Sequence, residues 1–288
     1  MSTFPLIVSA ALVFSQSDAR VSYDTAKALV EECTPRDAGT PRGRLAANRI
    51  LDAASAAGAD VRRDVFSTAT PKGEKTLTNL YGEIKGEDRD AEWVVLVSHF
   101  DTKPGVDCPG ANDGASTSGL LVGIANALAS WKERRGNVML VWTDGEECML
   151  TYGPNDGLWG ARRAARFLVE KKRKVKAVIC LDMLGDRDLL ITVPRNGTPS
   201  LIGVALASAR KSGLAGLVKK GEEIVTDDHV PFLEAGFPAI DLIDFSYGPD
   251  NSFWHTEKDV MENISEESLL ASGRIVVGML NVLLDGKF

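Results

Sequence analysis

Asp144-Gly145-Glu146-Glu147 follows the apolar run Val138-Met139-Leu140-Val141-Trp142, so two adjacent carboxylates stand where a strand runs out. Side by side and away from water, such a pair repels itself and loses hydration. A cation between or beside the two removes that cost. One glutamate then binds a metal, and its neighbour moves protons. The pattern recurs along the chain. The apolar run 93–97 leads into Ser98-His99-Phe100-Asp101, and the run 177–181 ends at Asp182. The run 239–243 is followed by a loop carrying Trp254-His255-Thr256. Gly110-Ala111-Asn112-Asp113-Gly114 opens a helical stretch, and Asp227-Asp228-His229 precedes another short apolar segment. The chain has 3 histidines, and two of them, His99 and His255, fall in these strand-end loops. Any single Asp in such a place is ordinarily a helix cap. Several together form a donor set, and mixed imidazole and carboxylate donors suit Zn²⁺.

Those residues need a frame that gathers strand ends. Apolar spacing at 3.6 residues predicts helices over 23–32 and 42–57, separated by a Pro- and Gly-bearing loop over 34–41. Two strands of a hairpin are expected over 60–66 and 76–84. Short continuous apolar strands are expected over 93–97, 138–142, 177–181, 189–193 and 239–243. Helices are expected over 115–131, 158–171, 200–211 and 265–284. Buried strands alternating with helices imply right-handed crossovers around a mixed, mostly parallel central sheet flanked by helices. The fold class is α/β, one domain over 20–288. In such sheets the site lies beyond the carboxyl ends of the strands.

Composition narrows the partners. A net charge of −7 argues against nucleic acid and anionic membrane surfaces. Cys33, Cys108, Cys148 and Cys180 are scattered with no C-x-x-C pair, so a cysteine zinc site is not indicated. Cys180 reads as a small core hydrophobe, and Cys148 as packing beside the Glu-Glu pair. Residues 4–14 form an apolar run too short to span a membrane, followed by Ser17-Asp18-Ala19. Small residues at Ser17 and Ala19 fit signal-peptidase cleavage, which makes 1–19 a candidate leader and the protein secreted or periplasmic. No Lys or Arg precedes the run, and the competing reading is a buried N-terminal element of a cytoplasmic protein.

The ordered motifs H-x-D, N-D-G-A, D-G-E-E, L-D-M-x-G, D-D-H-x-P-F-L and W-H-T resemble the M28 zinc peptidase family, from about Tyr23 to the end of the chain. Within it the chain looks most like the animal-type glutaminyl-peptide cyclotransferases. The stretch Tyr152-Gly153-Pro154-Asn155-Asp156-Gly157-Leu158-Trp159-Gly160-Ala161-Arg162, the Asp-Asp-His triplet and Trp254 beside His255 carry that likeness. The resemblance implies Asp113, Glu147 and His255 as ligands of a single zinc, and Glu146 as general acid/base. It implies Asp182 and Asp227 as a hydrogen-bonded pair supporting proton transfer, with Trp254 and Tyr152 walling the substrate pocket. In two-zinc aminopeptidases the positions of His99, Asp113 and Asp182 hold the second metal, so one zinc or two fit, with Asp101 orienting His99. The implied substrate is a peptide or protein N-terminus, and no integral membrane span is implied. The implied reaction is cyclisation of N-terminal glutamine to pyroglutamate with release of ammonia. The alternative is hydrolysis of N-terminal residues by a zinc aminopeptidase. A non-catalytic homologue ranks last, since no ligand is missing. The chain departs from the cyclases at Asp241, where they have a histidine, and in a longer loop over 245–253 rich in Gly, Asp and Asn. Asp144 is expected to bond backbone in its turn, and Asp228 and His229 to start and cap a helix.

Overall fold

The computed structural model describes residues 11–131, 134 and 136–285. In chain order its main elements are α1 (Gln16–Cys33), α2 (Pro41–Ala56), β1 (Asp60–Thr70), β2 (Gly73–Ile84), β3 (Trp93–His99), α3 (Thr117–Ser130) and β4 (Asn137–Thr143). They continue with α4 (Trp159–Glu170), β5 (Val175–Asp182), β6 (Ile191–Val193), α5 (Pro199–Lys211), β7 (Val218–Lys220), α6 (His229–Glu234), β8 (Ala239–Ile243) and α7 (Glu266–Asp285). The strands form one sheet in the order β1-β2-β4-β3-β5-β8-β6-β7. β3 runs parallel to β4 and β5, and β5 parallel to β8. β1 and β2 form an antiparallel hairpin whose β2 meets β4 in the antiparallel sense, as β6 meets β8.

Alternation along the central strands assigns the two faces. Leu96, Leu140, Ile179 and Leu242 point to one side, under α1, α2, α3, α5 and α7. Val97, Val141, Val178 and Cys180 point to the other, under α4 and α6. Both faces are covered, which is why these strands read as unbroken apolar runs. α7 is long and apolar, yet most of it is buried against this core.

The expected fold class holds, and the differences are local. The first helix starts at Gln16, seven residues before the predicted start at 23. A capping box explains it: Asp18 Oδ2 accepts the Ser15 backbone N–H at 2.8 Å while Ser15 Oγ accepts from Asp18 N. Ala19 is fully buried in that helix, so the Ser17-Asp18-Ala19 segment lies inside a packed first turn. The remainder of the candidate leader, 1–10, lies outside the described residues. α1 packs very closely on α3. A Cβ at Gly119 would sit 2.2 Å from the Ser22 carbonyl oxygen, and one at Gly123 would sit 2.1 Å from Ser22 Oγ. The helix predicted over 115–131 is preceded by a widened turn, Ala111–Ser116, in which Asp113 leaves helical geometry. β7, three residues long, is too short to announce itself in the sequence.

Candidate active site

Parallel strands deliver the functional side chains to one edge of the sheet. His99 ends β3, Asp182 ends β5, and Asp144 to Glu147 follow directly on β4. Asp113 enters from the widened turn before α3, and His255 from the loop after β8. Every residue expected at the site converges here, and Asp241, the departure from the cyclase pattern, lies within β8.

Asp113 stands at the centre. Its Oδ1 lies 3.0 Å from His99 Nε2, and its Oδ2 lies 3.3 Å from His255 Nε2. His255 Nε2 is also 2.9 Å from Glu147 Oε1, and His99 Nε2 is 3.1 Å from Asp182 Oδ1. Two donor groups result, Asp113-Glu147-His255 and His99-Asp113-Asp182, each with ligand atoms within 4.8 Å of one another. They share Asp113, one oxygen facing each group. Nothing but carboxylate and imidazole enters either group, and the negative charge is concentrated in buried space. That chemistry fits a divalent cation, and neither group calls for a thiolate. His255 has φ +57, a conformation rare outside glycine, and its ring is stacked on Trp254 with centroids 3.9 Å apart. Non-glycine residues in that region persist where surrounding structure over-determines them, as it does here.

The proton-moving candidate sits beside this set. Burial, then the neighbouring Glu147 charge, pushes the Glu146 carboxyl well above its usual range. Tyr152 donates its phenol to Glu146 Oε2 at 3.1 Å and reaches Glu147 Oε2 at 3.4 Å. Burial raises Asp182 as well, with His99 opposing it. Burial raises Asp227, while the His99 charge first, then hydrogen bonds from the Asp228 backbone and Asp182, pull it back part of the way. Burial would lower the two imidazoles, but the carboxylates around them win: His99 is held well above its usual value and His255 is raised to about 9. Asp113 goes the other way; despite its burial, His255 and His99 hold it below the usual carboxylate range.

A second ring of contacts fixes these groups. Asp101 accepts the backbone N–H of Glu146 at 3.1 Å and of Glu147 at 3.2 Å, and its carbonyl oxygen is 3.2 Å from His99 Nδ1. It therefore positions the Glu-Glu pair as well as the imidazole it was expected to orient. Asp144 accepts from Thr78 N in β2 at 2.9 Å, a strand contact instead of the expected bond within its own turn. Asp228 takes the position before α6 without capping it, because its carboxylate accepts the Thr143 hydroxyl instead. His229 opens α6 as expected, its Nε2 2.9 Å from the Asn196 amide. Cys148 is buried beside the site and accepts from Lys103 Nζ at 3.1 Å, in keeping with packing.

Three contributors escape a reading of the sequence. Lys103 Nζ sits 3.3 Å from Glu147 Oε2, and its place two residues beyond Asp101 was the available hint. Asp259 accepts the backbone N–H groups of Asn112 and Asp113, at 2.6 and 3.2 Å, and so holds the turn that presents Asp113. Buried Arg36 donates to the carbonyls of Phe100, Pro109 and Gly110, tying the His99 and Asp113 loops together. Neither Asp259 nor Arg36 has a local signal, since both act from distant loops.

The donors open onto a cavity of about 280 Å³. Tyr152, Trp254, Phe245, Ile224 and Ile243 give it apolar walls, while Asp113, Glu146, Glu147, Asp182, Asp227 and His255 supply its polar end. That combination suits a short side chain with a polar tip.

Known proteins share this architecture. The chain is similar to a glutaminyl-peptide cyclotransferase of Dictyostelium discoideum, 28% identical over 272 residues, covering 78% of this chain and 74% of that protein. It is similar to a glutaminyl-peptide cyclotransferase-like protein of Bos taurus, 28% identical, covering 85% of this chain and 71% of the relative. The structure of a glutaminyl cyclase from an Acidobacteriales bacterium superimposes with a TM-score of 0.89 at 28% identity, covering 100% of both chains. The model of peptidase family M28 matches residues 79–280, and the chain belongs to that family.

Proposed function

We propose that this protein is a zinc-dependent glutaminyl-peptide cyclotransferase that converts the N-terminal glutamine of peptides or proteins to pyroglutamate and releases ammonia. The observation that carries the reading is the contact of Tyr152 with Glu146 at the mouth of an apolar-walled pocket ending on Asp113, Glu147 and His255. The stretch from Tyr152 onward is one of the three features on which the likeness to cyclases rests, and here its Tyr152 hydroxyl meets the acid/base candidate. Relatives carrying the cyclotransferase name at 28% identity support it.

Asp113, Glu147 and His255 would hold the zinc. Bound there, it supplies Lewis acidity toward the γ-amide carbonyl. The other steps belong to the chain. Trp254, Phe245 and Tyr152 enclose the glutaminyl side chain and exclude water, so that its own α-amine is the nearest nucleophile. Glu146, ionised, accepts a proton from that amine as the N–C bond forms. It returns the proton to the departing amide nitrogen, which leaves as ammonia. A carboxyl of raised pKa suits both halves of that transfer. Asp182 holds the second imidazole, His99, with its Oδ1 3.1 Å from Nε2, and Asp227 hydrogen-bonds Asp182, the carboxylate pair that would support the proton transfer.

The second donor group, His99-Asp113-Asp182, favours one competing reading, a two-zinc aminopeptidase. A paired assay separates them: ammonia release from a glutaminyl dipeptide against anilide release from aminoacyl-anilides, with zinc counted in the same preparation. Ammonia release with about one zinc per chain supports the cyclase; robust anilide cleavage without ammonia rejects it. We also propose export, from the apolar run 4–14 and the small residues Ser17 and Ala19, although the burial of Ala19 in α1 weighs against cleavage at that point. An intact N-terminus on protein recovered only from cytosol rejects that.

A further inference from the structure

A second groove is lined in part by the loop that carries Tyr152. It has a volume of about 300 Å³, with Phe66 to Ala69 of β1 on one side, Pro154 and Asn155 on another, and Trp159, Arg162, Arg163 and Arg166 of α4 along its base. In a chain of net charge −7 this concentration of arginines is unusual. Their charges are unequally spent. Arg163 pairs with Asp64 through two contacts of 2.8 and 2.9 Å. Arg162 donates one nitrogen to the Gly153 carbonyl at 3.0 Å, and its Nε is buried with no partner among the described residues. Arg166 is exposed and makes no ion pair among the described residues, although Glu170 stands one helical turn further on. Arg162 and Arg166 share one stripe of the helix at i and i+4. Both side chains line the groove, where Trp159 is buried and the Phe66 ring faces Arg163, whose Cζ lies 5.9 Å from its centroid.

The active-site cavity is acidic, being lined by Asp113, Glu146, Glu147, Asp182 and Asp227. A substrate carrying its own carboxylates would be repelled there unless they are met elsewhere. Tyr152 lines that cavity and Asn155 lines the groove, three residues further along one loop. Three residues of extended chain span roughly 10 Å, so a peptide leaving the cavity over this loop reaches the groove within about three to five residues.

We infer that the groove formed by Arg162, Arg166, Phe66 and Trp159 is a docking site for an acidic side chain of the substrate, located about three to five residues after the N-terminal glutamine. This rests on the cyclotransferase reading. Arg166 is the exposed electrostatic contact, and half-buried Arg162 adds its charge while holding the loop through the Gly153 carbonyl. The groove thereby selects peptides by a feature remote from the reacting amide, acting on KM and leaving kcat alone.

The test compares glutaminyl heptapeptides that differ only by Glu or Gln at the third to fifth positions, assayed at low ionic strength. The acidic peptides should show a KM lower on the order of fivefold with kcat unchanged. The difference should vanish in about 1 M NaCl, where the screening length is about 3 Å. Arg166→Glu should abolish or invert it while leaving a glutaminyl dipeptide, too short to reach the groove, unaffected. Equal KM for acidic and neutral heptapeptides in the unaltered enzyme overturns the proposal, and so does a preference that survives in Arg166→Glu. If no glutaminyl substrate cyclises, the cyclotransferase reading has failed, and fluorescence anisotropy with the same labelled heptapeptides then judges the groove alone. Tighter binding of the acidic peptide that Arg166→Glu removes upholds it; equal binding overturns it.

Discussion

Tyr152 donates its phenol to Oε2 of Glu146 at 3.1 Å, from six residues further along the same loop. A hydrogen bond to the ionised form of a carboxyl lowers its pKa. Here it opposes burial and the Glu147 charge, which drive Glu146 upward. Tyr152→Phe removes that donor and little volume. The acidic limb of the kcat/KM profile should then move to higher pH, because Glu146 must be ionised to accept the amine proton. A profile unmoved by Tyr152→Phe would show that the phenol does not tune Glu146.

Glu146→Gln keeps the shape and the Tyr152 contact but cannot carry a proton. Turnover should fall on the order of 10²–10⁴-fold, with zinc content unchanged because Glu147 remains. Near-normal kcat would remove Glu146 from the mechanism.

His255 is raised to about 9 by Asp113 and Glu147, against its burial. Zinc takes the neutral imidazole, so binding at pH 7 must expel a proton. Calorimetry in buffers of different ionisation enthalpy should record about one proton released per zinc by the unaltered protein, and less by His255→Ala together with weaker binding. Proton-neutral binding would argue against His255 as a ligand.

Asp241 is fully buried, and neither carboxylate oxygen has a hydrogen-bond partner among the described residues. Burial, then the charges of Asp227, Asp182 and Asp228, push its carboxyl well above the usual range. The folded pKa exceeds the unfolded one, so its contribution to stability is full below about pH 4 and fades as pH rises toward the folded value. Asp241→Asn removes that dependence. The variant should match the parent near pH 4 and exceed it by roughly 1–3 kcal/mol at pH 8, as judged by denaturant unfolding. Equal stability at both pH values would mean the carboxyl is satisfied in solution.

Gly119 lets α1 and α3 touch, since a Cβ at this position would fall 2.2 Å from the Ser22 backbone oxygen. Backbone cannot swing aside as a side chain does. Gly119→Ala should destabilise the protein by roughly 1–3 kcal/mol by overpacking. A melting temperature unchanged from the parent would show that the two helices separate easily.

Much of the site was legible because strand ends leave a periodic trace. His99, Glu146, Glu147 and Asp182 each follow an apolar run, and the topology of a parallel sheet requires those ends to meet. The helix that begins at Gln16 was less legible, since its first turns are polar and only the Ser15-Asp18 box marks the start. Asp228 looked like a cap by its place before a helix, yet the Thr143 hydroxyl, far off in sequence, claims its carboxylate.

By itself the sequence determined the donor types, their order, the α/β class and the family resemblance, because these depend on local composition and spacing. The division of the donors into two groups sharing Asp113 was implied by the resemblance; only the tertiary structure set its geometry. It placed Asp113 with one oxygen toward His99 and the other toward His255, and it set Asp101 beneath both glutamates. It brought Arg36 and Asp259 to hold the loops, and turned Tyr152 onto Glu146. Contacts between residues scores of positions apart depend on how layers pack and which loop crosses which, and no local pattern encodes that.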